Sequence, residues 1–157
     1  MEKPFFFDYD FSSAFLASMA GRLREQILGE AQSIFRRNNL ITPVTDVSLM
    51  LFINVNGPSS IAEIARALEF SHQRVALRIN ALEKLKLLTR KINPNDQRCK
   101  LIAMTPLAKK EMIFIEKMYI NASEKIEQMF NEIDIDLMDG LQKAITYLKQ
   151  NPIQEPG

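Results

Sequence analysis

Apolar residues recur along the first third of the chain at the spacing of amphipathic helices. Over residues 11–35 an apolar side chain returns at every fourth position, which predicts a long helix with one hydrophobic face. The Asn38-Asn39 pair should end this helix. Thr42-Pro43 then supplies an N-cap and a first-turn proline for a second helix, which we expect to reach about Val55. Gly57-Pro58 stops it, because proline cannot continue the hydrogen-bond ladder.

Two short helices joined by a tight turn are predicted next. Residues 61–68 have apolar side chains on one helical face, and Ser71 is a good N-cap for a further helix that reaches about Leu85. Helices separated by so few residues cross steeply, which is the helix-turn-helix arrangement. The helix that follows Ser71 should bury Val75, Ile79 and Leu82. Its opposite face carries Gln73, Arg74, Leu77, Ala81 and Lys84, with Arg78 on the flank.

The side chains of the helix that follows Ser71 are of the types that read DNA in the major groove. Gln73 can pair with adenine through two hydrogen bonds, and Arg74 or Arg78 can do so with guanine or clamp a phosphate. His72, next to the N-cap, is interpreted as a phosphate contact or an ordinary surface residue. The candidate recognition residues are Ser71, His72, Gln73, Arg74 and Arg78.

A charged hairpin follows the helix pair. Residues 87–92 and 99–104 have the composition of strands, and the turn-forming residues between them predict a β-hairpin wing. A narrow basic finger suits the minor groove, where arginine meets a concentrated negative potential. Asp96 lies two residues from Arg98 and can fix the direction of its guanidinium. The candidate wing residues are Arg90, Lys91, Asp96, Arg98 and Lys100.

The end of the chain is again helical and strongly apolar. Thr105-Pro106 repeats the pattern of cap and proline, an apolar stripe continues to about residue 130, and Asp136 can cap a last helix. Apolar helices at both chain ends favour a homodimer, although they could instead cover the winged domain of their own chain. We therefore predict a mainly α (α+β) fold. A winged helix-turn-helix region (residues 42–105) would be flanked by dimerisation helices (residues 1–37 and 106–150).

Composition and charge narrow the class of protein. The 157 residues can form one compact unit, and no apolar run approaches the length of about 18 residues that spans a bilayer. Acidic residues interrupt the N-terminal apolar segment before a signal peptide could form, and we expect a cytoplasmic protein without membrane contact. Residues 59–110 contain eleven Lys or Arg against four Asp or Glu, a net charge of +7, whereas the rest of the chain carries −6. Such segregation indicates one face built for a polyanion, or an uneven solvated surface.

Enzymatic and metal-binding functions are disfavoured. With one histidine and one cysteine, the chain cannot supply a histidine-rich metal site, a cysteine-pair metal site or an internal disulfide. Cys99 is interpreted as an ordinary strand residue, with oxidant sensing as the alternative. Asp134 and Asp136 are better explained by a capped turn than by a cation site. We therefore expect a non-enzymatic protein with no metal and no cofactor.

The wing and its surroundings resemble those of the MarR family of winged-helix transcription regulators. The likeness is carried by Leu82-Glu83, by Leu87-Leu88-Thr89-Arg90, by Asp96-Gln97-Arg98 and by residues 101–105. The resemblance implies a homodimer that binds a palindromic operator in double-stranded DNA, and that often releases it when a small, frequently phenolic, molecule binds. It also implies that residues 71–85 enter the major groove and that Arg98, oriented by Asp96, contacts the minor groove.

Several positions depart from the family pattern. Leu77 and Ala81 stand where arginine is frequent, Lys86 and Ala108 where glycine is usual, and Gln97 where a basic residue is common. A non-glycine residue held in a left-handed conformation would carry strain. The resulting hypothesis is a dimeric regulator, a repressor relieved by a small aromatic effector, that reads its own operator. The alternative is a winged-helix module that binds a protein and not DNA.

Overall fold

The computed structural model describes residues 3–94 and 96–153, with only the backbone at residues 96–98. These residues form a mainly helical fold with one small antiparallel sheet. The chain is divided into two compact units, Met1–Met112 and Ile113–Gly157. The helices and strands are α1 (Leu16–Arg37), α2 (Val47–Asn56), α3 (Ile61–Ala67), α4 (His72–Lys84), β1 (Leu88–Asn93), β2 (Asp96–Met104), α5 (Pro106–Ile133) and α6 (Leu137–Gln150).

The first unit contains the winged helix. Ser71 lies between α3 and α4 and caps α4 by accepting a hydrogen bond from the backbone N–H of Arg74 at 3.2 Å, which confirms the predicted cap. Apolar side chains from the helices and strands form the core, because removing their surface from water is favourable. Its fully buried members are Leu49, Met50, Ile64, Val75, Ile79, Leu82, Leu87, Ile102 and Met112.

The wing is the antiparallel pair of β1 and β2. Its register runs from Leu88 opposite Met104 to Ile92 opposite Lys100, and a register shift follows at Asn93. Ser59, just before α3, adds a short bridge to the base of the wing. Its N–H donates to the Ile102 carbonyl at 3.0 Å, and the Ile102 N–H donates back at 2.8 Å. The wing is thereby tied to the start of the helix-turn-helix.

The predicted start of the second helix was wrong. Thr42 does not cap it: the Thr42 hydroxyl donates to Oε2 of Glu111 at 2.6 Å. Glu111 also accepts from the backbone N–H groups of Ile41 and Thr42, at 2.9 and 3.0 Å. Pro43 instead precedes a short 3-10 helix, and α2 begins four residues later than predicted, at Val47. The buried carboxylate of Glu111 thus competes successfully for the hydroxyl that would have capped α2.

The first long helix begins five residues later than predicted. Two 3-10 helices, Phe5–Asp8 and Ser12–Phe15, precede α1. The rings of Phe6 and Phe15 stack with centroids 4.6 Å apart, which folds this segment back on itself. The two serines at positions 12 and 13 are poor helix formers, and the apolar spacing alone could not reveal the ring contact.

Gly57 and Lys86 are two of the positions at which the described chain has a positive φ. Gly57 ends α2 with a φ of 77°, and Lys86 follows α4 with a φ of 58°. Lys86 therefore adopts the left-handed conformation for which glycine is suited. Ala108, the other departure from a usual glycine, is buried in the first turn of α5 and is helical.

The second unit consists of the later part of α5 and of α6. Asp136 caps α6 by accepting from the Asp139 N–H at 3.0 Å, as predicted. None of the residues of α6, all of which the structure describes, is buried within this chain. Over the described ranges, no helix combines the length and apolarity needed to cross a bilayer. The exposed large apolar side chains of this unit include Ile113, Tyr119, Ile120, Met138, Leu141, Ile145 and Leu148.

Candidate nucleic-acid interface

One face of α4 is directed to solvent along its whole length. Val75, Ile79 and Leu82 are fully buried on the opposite face, as predicted, and so fix which side chains point outward. Leu77 lies near the centre of the outward face with 63% of its surface exposed. The exposed residues of α4 are His72, Gln73, Arg74, Leu77, Asn80, Ala81 and Lys84. The face therefore combines amide, cationic and apolar groups.

Arg74 is held over an aromatic ring. Its guanidinium carbon lies 4.0 Å from the ring centroid of Phe70, in the turn between α3 and α4. A guanidinium at this distance is attracted by the negative face of the ring and loses some of its freedom. Arg74 remains exposed beside the N-terminus of α4. It is therefore a pre-oriented cation at the end of the helix that already favours anions.

Arg78 has a different environment from Arg74. Its Nε lies 2.8 Å from Oδ1 of Asp46, and its Nη2 donates a hydrogen bond to the carbonyl of Thr45. Oδ1 of Asp46 accepts no aligned hydrogen bond within the described residues, so this contact is an ion pair at close range. The exposed fractions of the two side chains are 19% for Arg78 and 10% for Asp46. Burial raises the pKa of Asp46, and the positive charge of Arg78 lowers it in part.

Arg90, on β1, is also paired within the protein. Its Nε lies 3.2 and 3.1 Å from the two carboxylate oxygens of Glu83, and its Nη2 donates to Oδ1 of Asn80 at 2.6 Å. Both partners belong to α4. Arg90 thus connects the wing to the recognition helix, although the sequence had placed it among the DNA contacts.

Of the remaining candidate wing residues, the structure describes the side chains of two. Lys91 and Lys100 are exposed on β1 and β2, and Cys99 is exposed next to Lys100. The side chains of Asp96 and Arg98 lie outside the described residues, and so does the predicted orienting contact between them. The wing described here therefore offers two exposed lysines to an anion.

The partners that hold these arginines were missed by sequence reasoning. Asp46 lies 32 positions before Arg78, and no periodic pattern links positions so distant. The Glu83 and Arg90 pair had a weak signal, since both belong to the motifs that carry the family resemblance. In the described part of the chain, no group of three or more His, Cys, Asp or Glu side chains is placed to hold a metal ion.

The element order, the closely joined pair of α3 and α4 and the hairpin define a winged helix-turn-helix protein. Residues 41–98 match the model of the MarR family. No curated protein sequence matches the chain. Solved structures are similar to most of the chain in fold but share little sequence identity with it, so they support the fold alone.

Three of the solved structures illustrate this similarity. A MarR/EmrR family regulator from Acinetobacter sp. ADP1 has a TM-score of 0.69 at 16% identity, over 88% of this chain and 97% of that one. FabT of Streptococcus pneumoniae, solved in complex with DNA, has a TM-score of 0.66 at 17% identity, over 88% and 98%. The transcriptional repressor CouR, bound to a 23-mer DNA duplex, has a TM-score of 0.64 at 18% identity, over 87% and 94%.

The family model and the shared fold agree with the motifs in the sequence. Over residues 41–98 the chain is similar to the MarR family of winged-helix transcription regulators, which agrees with the resemblance predicted from its residues.

Proposed function

We propose that this protein is a sequence-specific transcription regulator that binds double-stranded DNA. The observation that carries the proposal is the outward face of α4, where Gln73 and Arg74 stand exposed at the capped N-terminus of a helix anchored by three buried side chains. A helix of this kind fits the major groove, with its N-terminal residues against the base edges.

Each exposed group has a proposed role in the complex. Gln73 reads adenine, Arg74 reads guanine or binds phosphate, and His72 together with the helix N-terminus contacts the backbone. Lys91 and Lys100 attract phosphates beside the groove. For Arg98 we keep the minor-groove role implied by the family resemblance, with Asp96 as its orienting residue.

We further propose that the protein acts as a homodimer on a palindromic operator. The apolar residues exposed on α1 and on the second unit support this, because isolated copies would leave those faces in water. Residues 1–37 and 106–150 would form the dimer interface, and residues 42–105 would bind DNA. The two half-sites should then be separated by about 34 to 36 Å. Repression, and its relief by a small aromatic effector, are proposed from the family resemblance.

Selection of bound fragments from the source genome tests the proposal and yields the operator. We expect a palindromic sequence, and binding to it should weaken steeply as salt rises. Replacing Arg74 or Gln73 by Ala should relax specificity by about 1 to 3 kcal/mol per lost two-pronged contact. A soluble protein that retains no duplex at low salt would contradict the proposal and favour the protein-binding module.

A further inference from the structure

We infer that Arg78 is a positioning residue of the recognition helix and not one of its DNA contacts. The inference rests on the proposed function and assigns Arg78, together with Asp46, the task of setting how α4 faces the operator. Sequence reasoning had placed Arg78 among the residues that touch DNA.

The first support is the set of contacts that Arg78 makes within the protein. Its Nε pairs with Asp46 and its Nη2 donates to the Thr45 carbonyl, so two edges of the guanidinium are already used. Its guanidinium carbon also lies 5.3 Å from the ring centroid of Phe70. These groups come from the segment before α2 and from the turn before α4, and they converge on one side chain.

The second support is the state of Asp46. It occupies the N-cap position of α2, yet its side chain makes no capping hydrogen bond and faces Arg78 instead. Pulling Arg78 out to a base would leave a largely buried carboxylate without its counter-charge. Breaking such a pair costs more than one two-pronged base contact returns. The equilibrium therefore favours Arg78 inside the protein when DNA is bound.

The third support is the position of the pair around the helix axis. At about 100° per residue, Arg78 and Glu83 lie on opposite flanks of the outward face of α4. Asp46 holds the first flank, and Arg90 holds the second through Glu83. Rotation of α4 is thus resisted from both sides, and the direction of Gln73 and Leu77 is fixed between them.

The test compares Asp46→Ala, Arg78→Met and the double variant of the full chain by fluorescence anisotropy. The probes are the selected operator and an unrelated duplex of equal length, measured across a salt series. We expect each single variant to weaken operator binding about tenfold, and the double variant to weaken it by about the same factor, because both remove one interaction. Affinity for the unrelated duplex and the slope against salt should stay unchanged.

A direct contact between Arg78 and DNA gives the opposite pattern. Asp46→Ala would then tighten binding by releasing the arginine, Arg78→Lys would retain most of the affinity, and Arg78→Met would reduce the salt slope by about one. Any of these results overturns the inference. So does an equal loss on both duplexes or no loss on either, since neither result reflects a change in how α4 is aimed.

Two further samples keep the experiment decisive. Asn38→Ala removes an exposed hydrogen bond to the Ile34 carbonyl, at a residue outside the proposed DNA-binding and dimer regions, and should leave the ratio of the two affinities unchanged. If circular dichroism shows that Asp46→Ala is unfolded, Asp46→Asn keeps the side-chain size and should lower the same ratio. A wild-type protein that binds no duplex refutes the proposed function, whereas selective wild-type binding with tighter binding by Asp46→Ala refutes only the role of Arg78.

Discussion

Arginines of similar sequence context occupy different environments around α4. Arg74 is exposed over Phe70, Arg78 pairs with Asp46, and Arg90 pairs with Glu83. All three were predicted as DNA contacts because a basic residue near a recognition helix is the strongest local signal for phosphate binding. The partners of Arg78 are supplied by tertiary folding, so its role could not be derived from sequence spacing.

Leu77 gives the outward face of α4 an apolar contact that we expect to recognise thymine. A leucine exposed in the major groove can pack on the C5 methyl of thymine, which no other base carries. Replacing that thymine by deoxyuridine removes only the methyl group. We expect wild-type affinity to fall about fourfold at this operator position, from the value of one buried methyl group. Titration of a set of singly substituted duplexes identifies the position.

The matching variants separate Leu77 from its neighbours. Leu77→Ala should bind the thymine and deoxyuridine duplexes equally well, whereas Gln73→Ala should still prefer thymine. Persistent discrimination by Leu77→Ala would show that another side chain meets the methyl group.

Lys86 carries backbone strain that glycine should relieve. A φ of 58° costs an L-residue roughly 1 to 2 kcal/mol in the folded state. Glycine avoids this cost, but its greater conformational freedom in the unfolded chain offsets part of the gain. We expect Lys86→Gly to raise the free energy of unfolding by about 0.5 kcal/mol in urea. Lys110→Gly, in the first turns of α5, should lower it by about 1 kcal/mol. Destabilisation by both substitutions would show that the side chain of Lys86 contributes more than its conformation costs.

At the scale of elements, local capping rules succeeded where the capping side chain had no distant competitor. Ser71 and Asp136 cap α4 and α6 as predicted, and Thr105 Oγ1 accepts from the Ala108 N–H at the start of α5. Thr42 failed because Glu111, 69 positions later, takes its hydroxyl. The hairpin and the helix pair were likewise predictable, whereas the Ser59 bridge depends on a single residue and leaves no pattern.

The capping box of α3 should make the stability of this element depend on pH. The Ser60 N–H and hydroxyl donate to Glu63 at 2.7 and 2.8 Å, and these bonds lower the pKa of Glu63 from its ordinary value of 4.5. The unfolded chain therefore binds the proton more readily than the folded one. The stabilisation is complete above pH 4.5 and is lost as pH falls through the lowered folded pKa.

Glu63→Gln provides the measurement. The difference in unfolding free energy between wild type and this variant should be larger at pH 7 than at about pH 3. Ser60→Ala, which removes the cap itself, should cost about 1 kcal/mol at pH 7. A wild-type advantage over Glu63→Gln that does not change with pH would show that the carboxylate charge is unimportant in the box.

At the scale of the molecule, a single chain leaves apolar side chains of α1, α5 and α6 exposed to water, which a monomer does not explain. Leu141 and Ile145 lie on the same exposed face of α6. If a second copy covers this face, Leu141→Glu and Ile145→Glu each place a carboxylate in an apolar interface. We expect each to raise the dissociation constant of the dimer by about a hundredfold or more.

Sedimentation analysis over a range of concentrations measures this effect. Gln150→Glu adds the same charge on the polar side of α6 and should leave the dissociation constant unchanged. Two equal shifts would indicate an effect of net charge, and a wild-type protein that stays monomeric at all concentrations would refute the dimer.

The bridge between Ser59 and Ile102 fixes the position of the wing relative to the helix-turn-helix. It joins the wing to the start of α3, and the contacts of Arg90 with Glu83 and Asn80 join the same wing to α4. Because Arg90 and Ile102 are opposite each other in the hairpin, both strands are attached at the same level, and the wing cannot swing independently of α4. In the proposed complex, the number of base pairs between the major-groove and minor-groove contacts of one half-site is therefore set by the protein. One extra base pair inserted there should abolish recognition, even though every contacted base is still present.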